Sequence, residues 1–290
     1  MSESPRDSSA EPAVVDIVGV GFGPANLALA IAVEEHNANC AAVDRVNARF
    51  FEKQSQFAWH PGMLLDGATM QIAFPKDLVT FRNPQSGYSF FSYLFEQGRL
   101  VDFVNHQTFF PTRHEFNDYL CWAARRVDAD VQFGTTVDGV EGIKNSDGVV
   151  DRFAVRTADG DTVIARNIVV GAGLKERIPE WATPSSRCFH NHQFLFHLEA
   201  MPEPVHNRFV VLGAARVPQR SSTTCTRTTR PPKFTVFSPA TATARQTTAR
   251  TRTASSIPKP SISCTAPTPR NDVDCSICTA VPITRSSTSN

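Results

Sequence analysis

The chain has 290 residues with a formal net charge of +1, of which 41% are hydrophobic and 20% are charged, enough for one large or two medium-sized domains. No run approaches the ~18 apolar residues of a membrane span, residues 1–12 lack a signal peptide's apolar core, and the cysteines form no disulfide framework. This composition argues against membrane association and secretion and favours a cytoplasmic protein.

The first recognisable element is an apolar strand, Val14–Val20, that leads through a glycine-rich turn into an Ala/Leu-rich helix. Gly19 permits the tight turn, and Gly21 allows backbone to approach a phosphate closely. The helix that begins near Pro24, just after Gly23, presents free N–H groups and a positive dipole end. A strand, a glycine-rich turn and a helix in this order predict a site for the pyrophosphate of a dinucleotide. An ordinary strand–helix connection is the alternative.

A second parallel strand is predicted at residues 48–52, and it ends at Glu52. A carboxylate at this position can accept hydrogen bonds from ribose hydroxyl groups. The spacing from the glycines exceeds the usual ~20 residues, because residues 36–47 resemble a loop insertion. A surface acid at a strand end is the alternative interpretation of Glu52.

Residues 57–83 form a long segment without clear periodicity that is rich in aromatic and sulfur side chains. Such a segment usually lines a site or packs beneath another element. Residues 86–101 have a helical pattern. A clearer helix is predicted at residues 113–126, because Thr112 can cap it and Glu115 completes a capping box.

Residues 131–170 alternate as short strands with turns between them, and residues 209–213 begin like a second dinucleotide-binding strand. Strands and helices in this order predict an α/β fold with a Rossmann-like, doubly wound parallel sheet.

The composition changes at residue 217. Residues 217–290 contain no Leu, Gly, Glu, His, Met, Tyr or Trp, and 28 of these 74 residues are Ser or Thr. Ten lysines and arginines face only two aspartates, so this tail has a net charge of +8 and residues 1–216 have −7. Too little apolar surface is available to offset the entropy of ordering, so we predict that the tail is disordered.

Several segments together resemble the flavin-dependent N-hydroxylating monooxygenases of siderophore biosynthesis, in particular those that act on ornithine. The resemblance runs from about Val14 to Gly213. It is carried by the glycine turn and by four further motifs, FAWHPGM at 57–63, MQIAFPKDL at 70–78, GRLVDF at 98–103 and FPTRHEFNDYL at 110–120.

The resemblance implies FAD and NADPH as cofactors, and L-ornithine and O₂ as substrates, with hydroxylation of the ornithine N5 amine. Lysine N6-hydroxylation and a non-catalytic flavoprotein remnant are the alternatives. The cofactor carries the chemistry in this family, so no catalytic side chain and no metal ligand are expected. Relatives are often homo-oligomeric; the sequence does not define the oligomeric state here.

The resemblance also assigns roles to individual residues. Lys76 is expected to bind the substrate carboxylate through its ammonium group; by composition alone it is a solvated surface lysine. The expected FAD-binding residues are Gly19, Gly21, Gly23, Pro24, Glu52, Lys53, Phe57, Trp59, His60, Gln71 and Val137.

The tail departs from the family in a way that suggests a shifted reading frame. Moving the codons of residues 281–288 back by one base permits Ser-Thr-Asn-Tyr-Ser-Val-Val-Asp, and residues 251–262 permit Ala-Asn-Arg-Ile-Phe-Asp-Pro-Glu-Ala-Val-Asp. Both resemble family segments. We therefore expect a frameshift near residues 213–217, which leaves a truncated product of doubtful activity and removes most of the NADPH site.

The expected organisation is a disordered segment at 1–12, an FAD-binding domain at 13–208, an interrupted start of an NADPH-binding domain at 209–216, and the tail at 217–290. Cys275 and Cys278 have zinc or redox spacing, but no second pair accompanies them. The basic tail resembles a nucleic-acid-binding arm, but it has too few aromatic residues to stack bases, so no nucleic-acid partner is expected.

Overall fold

The computed structural model describes residues 14–176, 178–179, 182–201, 208–212, 233–237 and 279–282. Two compact units are distinguished. The first contains Met1–Trp59 and Thr69–Leu174, and the second contains His60–Ala68 and Lys175–Asn290. Residues 1–12 lie outside the described residues, so the prediction of disorder there stays a prediction. Among the helices described, none has the length and apolar character needed to cross a membrane.

The first unit is built on a six-stranded sheet. Its strands are β1 (Val15–Val20), β2 (Ala48–Glu52), β3 (Asp130–Phe133), β4 (Val137–Lys144), β5 (Val150–Thr157) and β6 (Thr162–Val170). They lie in the order β3-β2-β1-β6-β5-β4. The four strands β3, β2, β1 and β6 lie side by side and run parallel, which confirms the predicted core of the fold. Strands β5 and β4 follow β6 and add an antiparallel part to the sheet.

The described residues of the first unit form four α-helices, α1 (Pro24–Asn39), α2 (Phe90–Glu96), α3 (Leu100–Asn105) and α4 (Arg113–Arg126). The predicted cap of α4 is confirmed, because the Thr112 hydroxyl accepts a hydrogen bond from the Glu115 N–H at 3.1 Å. The single helix predicted at residues 86–101 is wrong. Ser89 caps α2, and Gly98, at φ +67°, separates α2 from α3 in a conformation that favours glycine.

Consecutive residues of β2 point to opposite faces of the sheet, as the period of a strand requires. Phe50 belongs to a large aromatic core that α1, α2, α3 and α4 share, and Phe51 belongs to a smaller core with Val15 and Val155. Both phenylalanines are almost fully buried, which explains why β2 is apolar at both positions. Strand β2 is therefore buried on both faces of the sheet.

Strand β6 changes its partners along its length. Its first half pairs with β5, its second half pairs with β1, and Ala165 faces residues of both strands. Ala165 is fully buried, so a small side chain occupies the position where the antiparallel and parallel parts of the sheet meet.

The second unit contains β7 (Phe189–His190), α5 (Phe194–Glu199), β8 (Arg208–Leu212), β9 (Lys233–Phe237) and β10 (Thr279–Pro282). The strand order is β7-β10-β8-β9, with β8 and β9 parallel. The predicted strand at 209–213 is confirmed by β8. Strands β9 and β10 lie in the tail, for which no strand was predicted, and the remaining residues of 217–290 lie outside the described residues.

Candidate functional site

The glycine turn after β1 is held closely between its neighbours. The Gly21 N–H donates to the Phe51 carbonyl at 2.7 Å, and the Gly171 N–H donates to the Val20 carbonyl at 2.8 Å. Gly21 has φ +83°, and an added Cβ would lie 2.6 Å from the Gly171 carbonyl oxygen. At Gly19 an added Cβ would overlap the Phe50 ring. Both positions therefore require glycine on steric grounds.

The turn opens into the N-terminus of α1. Gly23 is the N-cap residue, Pro24 is the first helical residue, and the first intrahelical hydrogen bond joins the Leu27 N–H to the Gly23 carbonyl at 2.9 Å. The first turn of α1 contains no acidic side chain. A Cβ added at Gly23 would meet nothing within 4 Å, so open space adjoins the positive end of the helix. This is the arrangement that binds a phosphate group.

Asn26 links this turn to the end of β6. Its side chain is fully buried, and Nδ2 donates to the Gly21 carbonyl at 2.6 Å and lies 3.5 Å from the Val169 carbonyl. A Cβ added at Gly171 would lie 2.7 Å from Nδ2, so Gly171 makes room for this amide. Sequence reasoning missed Asn26 and Gly171, because their role depends on the pairing of β1 with β6.

Glu52 ends β2 and lies beside the glycine turn. The carboxylate is 9% exposed, and it accepts hydrogen bonds from the Phe22 N–H at 2.7 Å and the Gln54 N–H at 2.9 Å. Glu52 therefore positions the turn through Phe22, in addition to any ribose contact. A carboxylate offers about four lone-pair sites, so two backbone hydrogen bonds leave acceptor capacity.

Phe57 and Trp59 contribute to the aromatic core of the first unit. The Phe57 ring contacts Phe22 edge to face, with a centroid distance of 6.4 Å, which places Phe57 near the glycine turn. Trp59 packs against Phe116, and the Arg113 guanidinium lies 4.7 Å from the centre of the indole ring. Burial lowers the pKa of Arg113.

Gln71 and Lys76 lie on the exposed side of a loop spanning residues 69–80. The Met70 and Phe74 N–H groups donate to the carbonyls of Pro111 and Phe109 at 2.8 and 2.9 Å, which fixes one edge of the loop. The Phe74 ring is buried in the aromatic core, so neighbouring residues of the loop project away from it.

Asp77, which sequence reasoning missed, organises the loop directly after Lys76. Its carboxylate accepts hydrogen bonds from the backbone N–H groups of Val79, Thr80 and Phe90 at 2.7–3.0 Å, and from the Thr80 hydroxyl at 2.8 Å. Asp77 thereby fixes both the turn that follows Lys76 and the first residue of α2.

The remaining predicted site residues lie in different surroundings. Lys53 is exposed just after β2, and Val137 begins β4 and packs against the smaller core. His60 belongs to the second unit, at φ +45°, and its ring lies 5.0 Å from that of His192. The structure therefore brings together the glycine turn, Glu52 and Phe57, and places Gln71 and Lys76 on a separate loop.

The fold and this site define a dinucleotide-binding α/β protein, in which a glycine turn and the acid ending the second strand meet at the carboxyl edge of a parallel sheet. The family model described as L-lysine 6-monooxygenase/L-ornithine 5-monooxygenase matches residues 13–238. The chain belongs to this family. The match extends past Gly213, where the resemblance read from the sequence ends, and includes β9.

Individual relatives agree with this assignment. The L-ornithine N(5)-oxygenase of Arthrobotrys oligospora is 48% identical over 171 residues, covering 58% of this chain and 34% of the relative. The L-ornithine N(5)-monooxygenase of Pseudomonas aeruginosa is 40% identical over 202 residues, covering 67% of this chain and 45% of the relative. The chain therefore spans less than half of the length of these relatives.

Solved structures show the same relationship. The ornithine N-hydroxylase of Kutzneria sp. 744, in complex with reduced FAD, NADP⁺ and L-ornithine, is similar with a TM-score of 0.62 and 42% identity, covering 69% of this chain and 47% of that one. The L-lysine 6-monooxygenase of Pseudomonas syringae has a TM-score of 0.59 and 34% identity, covering 68% of this chain and 47% of that one.

Proposed function

We propose that the chain carries the FAD-binding part of an L-ornithine N5-monooxygenase. The observation that carries the proposal is the open turn at the N-terminus of α1, where Gly21 is sterically required and Gly23 adjoins free space. Membership of the lysine and ornithine monooxygenase family supplies the reaction class. The curated relatives bear ornithine in their names, which favours ornithine over lysine as the substrate.

The residues present fit FAD. The Gly19–Gly23 turn and the first residues of α1 would hold the pyrophosphate, and Glu52 has acceptor capacity for the adenosine ribose. In this site FAD would supply the activation of O₂, with reducing equivalents from NADPH. The buried Phe74 ring and the half-buried Trp59 ring are proposed to exclude water near the flavin, which would limit unproductive loss of reducing equivalents.

Lys76 is proposed to bind the substrate carboxylate, and Gln71 is proposed to contact the flavin. Both side chains are exposed on the loop that Asp77 organises, so they are accessible to ligands. A lysine ammonium is a point charge on a flexible stem, which suits a carboxylate of a small amino acid. The proposed setting is the cytoplasm, where NADPH is available.

The altered composition after residue 216 favours a second candidate, a flavoprotein remnant that no longer hydroxylates ornithine. The NADPH-binding part of the family would continue from β8, and the absence of Leu and Gly from residues 217–290 is unlike such a domain. We propose that a shift of reading frame near residues 213–217 accounts for this change.

A comparison of two proteins tests both candidates. The 290-residue chain should purify with little bound FAD and should form no hydroxyornithine with FAD, NADPH and ornithine. A version translated from DNA with the frame restored near codon 213 should purify with FAD and consume O₂ when ornithine is added. A frame-corrected protein without FAD would contradict the proposed function, and coupled hydroxylation by the 290-residue chain would contradict the remnant.

A further inference from the structure

Two histidines and a glutamate meet in the second unit. Ligand atoms of Glu176, His190 and His192 all lie within 4.8 Å of one another. The Glu176 Oε1 atom lies 4.0 Å from Nδ1 of His190, and the two imidazole rings meet nearly at right angles with a centroid distance of 4.6 Å. We propose that these three side chains form a binding site for a divalent transition-metal ion of the zinc type.

The local backbone explains why the two histidines converge. His190 ends β7, and a 3₁₀ turn at Asn191–Gln193 follows directly, so the chain bends back within two residues. Gly62 packs against this turn, because a Cβ there would overlap the His192 carbonyl group. The His192 ring lies against the His190 ring directly after this bend.

The donor set suits the proposed ion. Zinc in proteins is bound by histidine nitrogen and carboxylate oxygen, and sites with three protein ligands keep a position for water or another ligand. Two ligands of a tetrahedral zinc ion are about 3.3 Å apart, since each lies ~2.0 Å from the metal. The 4.0 Å between Glu176 and His190 therefore closes with a shift of less than 1 Å.

The hydrogen bonding of His190 also suits a metal ligand. Its Nδ1 accepts the His192 N–H at 3.3 Å, so the lone pair lies on Nδ1, the nitrogen nearest to Glu176. A bound cation would coordinate this lone pair and replace the long hydrogen bond from the His192 N–H.

A chain of hydrogen bonds supports the carboxylate. The Gln193 amide donates to both oxygens of Glu176 at 3.0 and 3.2 Å, and the Gln193 carbonyl oxygen lies 3.1 Å from Nε2 of His197. His197 in turn stacks on the buried Phe189 ring with a centroid distance of 4.1 Å. Such outer partners orient metal ligands, and their loss typically weakens metal affinity.

The test measures binding of Zn²⁺ to the full 290-residue chain by isothermal titration. Cys275→Ser and Cys278→Ser are present in every sample, because thiolates also bind zinc. One equivalent of Zn²⁺ is expected in this background. Glu176→Gln and His192→Ala should each weaken the affinity at least tenfold, and Gln193→Leu should weaken it by roughly 10- to 100-fold.

His106→Ala is the matched control, since this exposed histidine lies in the first unit. The His106→Ala variant should bind Zn²⁺ with the same affinity as the chain that carries only the two cysteine substitutions. Co²⁺ should give the visible spectrum of a site without thiolate charge-transfer bands, and that spectrum should disappear in His192→Ala. Circular dichroism confirms that each variant is folded. The absence of Zn²⁺ binding in the background, or unchanged affinity in both Glu176→Gln and His192→Ala, would overturn the proposal.

Discussion

At the scale of single residues, two glycines of the same turn have different physical roles. Gly21 adopts a left-handed conformation and faces backbone, whereas Gly23 adopts an ordinary conformation and faces open space. Gly21→Ala should lower the free energy of unfolding by about 1–3 kcal/mol, because it combines backbone strain with a steric clash.

Gly23→Ala should leave the free energy of unfolding within about 0.5 kcal/mol of the wild type. The added methyl group would occupy the space proposed for the pyrophosphate, so FAD affinity should nevertheless fall. Urea unfolding of the apoprotein and flavin fluorescence titration measure the two effects in parallel. Undiminished FAD affinity in Gly23→Ala would remove this turn from the cofactor site.

Lys76 is the residue whose proposed role depends on charge. In the frame-corrected enzyme, Lys76→Ala should cost roughly 1.5–3 kcal/mol of substrate binding, because a charge-assisted contact is lost, and the KM for ornithine should rise about ten- to a hundredfold. Lys144→Ala, which removes an exposed lysine of β4, is the control and should leave KM unchanged. Equal KM values for both variants would exclude Lys76 from the substrate site.

His190 should make stability depend on pH in a defined direction. Its pKa is lowered from 6.5 in the folded chain, chiefly by burial. The unfolded chain therefore binds more protons just below pH 6.5, and the stability contributed by the neutral ring is lost as the pH falls through the interval from 6.5 to the lowered pKa. NMR titration of the His190 ring should give a pKa below 6.5, and a pKa at or above 6.5 would contradict this prediction.

At the scale of secondary-structure elements, Asp77 connects the Lys76 loop to α2. Asp77→Ala should lower the free energy of unfolding by about 1–3 kcal/mol, because buried N–H groups lose their acceptor. Asp77→Asn, which keeps one oxygen acceptor, should lose less. Urea unfolding compares the two, and proteolysis should cut the loop faster in Asp77→Ala. Equal stability of Asp77→Ala and wild type would show that the loop is fixed by other contacts.

Local patterns predicted the elements whose cause is local. The strand, turn and helix at 14–39 follow from apolar runs and glycine chemistry, and the cap of α4 follows from Thr112 and Glu115. The helix predicted at 86–101 was wrong because its apolar spacing continues across Gly98, whose backbone conformation ends the helical path. The Glu176, His190 and His192 cluster escaped prediction, because the glutamate lies 14 positions before the first histidine and the contact depends on how the chain folds between them.

At the scale of the whole molecule, the six-stranded sheet is complete before the tail begins. Every strand pairing of this sheet lies between Val15 and Val170. A protein that ends at residue 216 should therefore keep the thermal unfolding transition of the first unit. Differential scanning calorimetry of the two lengths tests this expectation, and a loss of that transition would show that the tail stabilises the sheet.

The position of β1 between β2 and β6 determines when this sheet can form during synthesis. Residue 17 of β1 pairs with residue 48 on one side and with residue 167 on the other. The central strand thus leaves the ribosome about 150 residues before its second neighbour, which at ~5–20 residues per second is a delay of roughly 8–30 seconds. Throughout that interval an apolar strand edge is exposed, so nascent chains of this protein are candidates for chaperone binding.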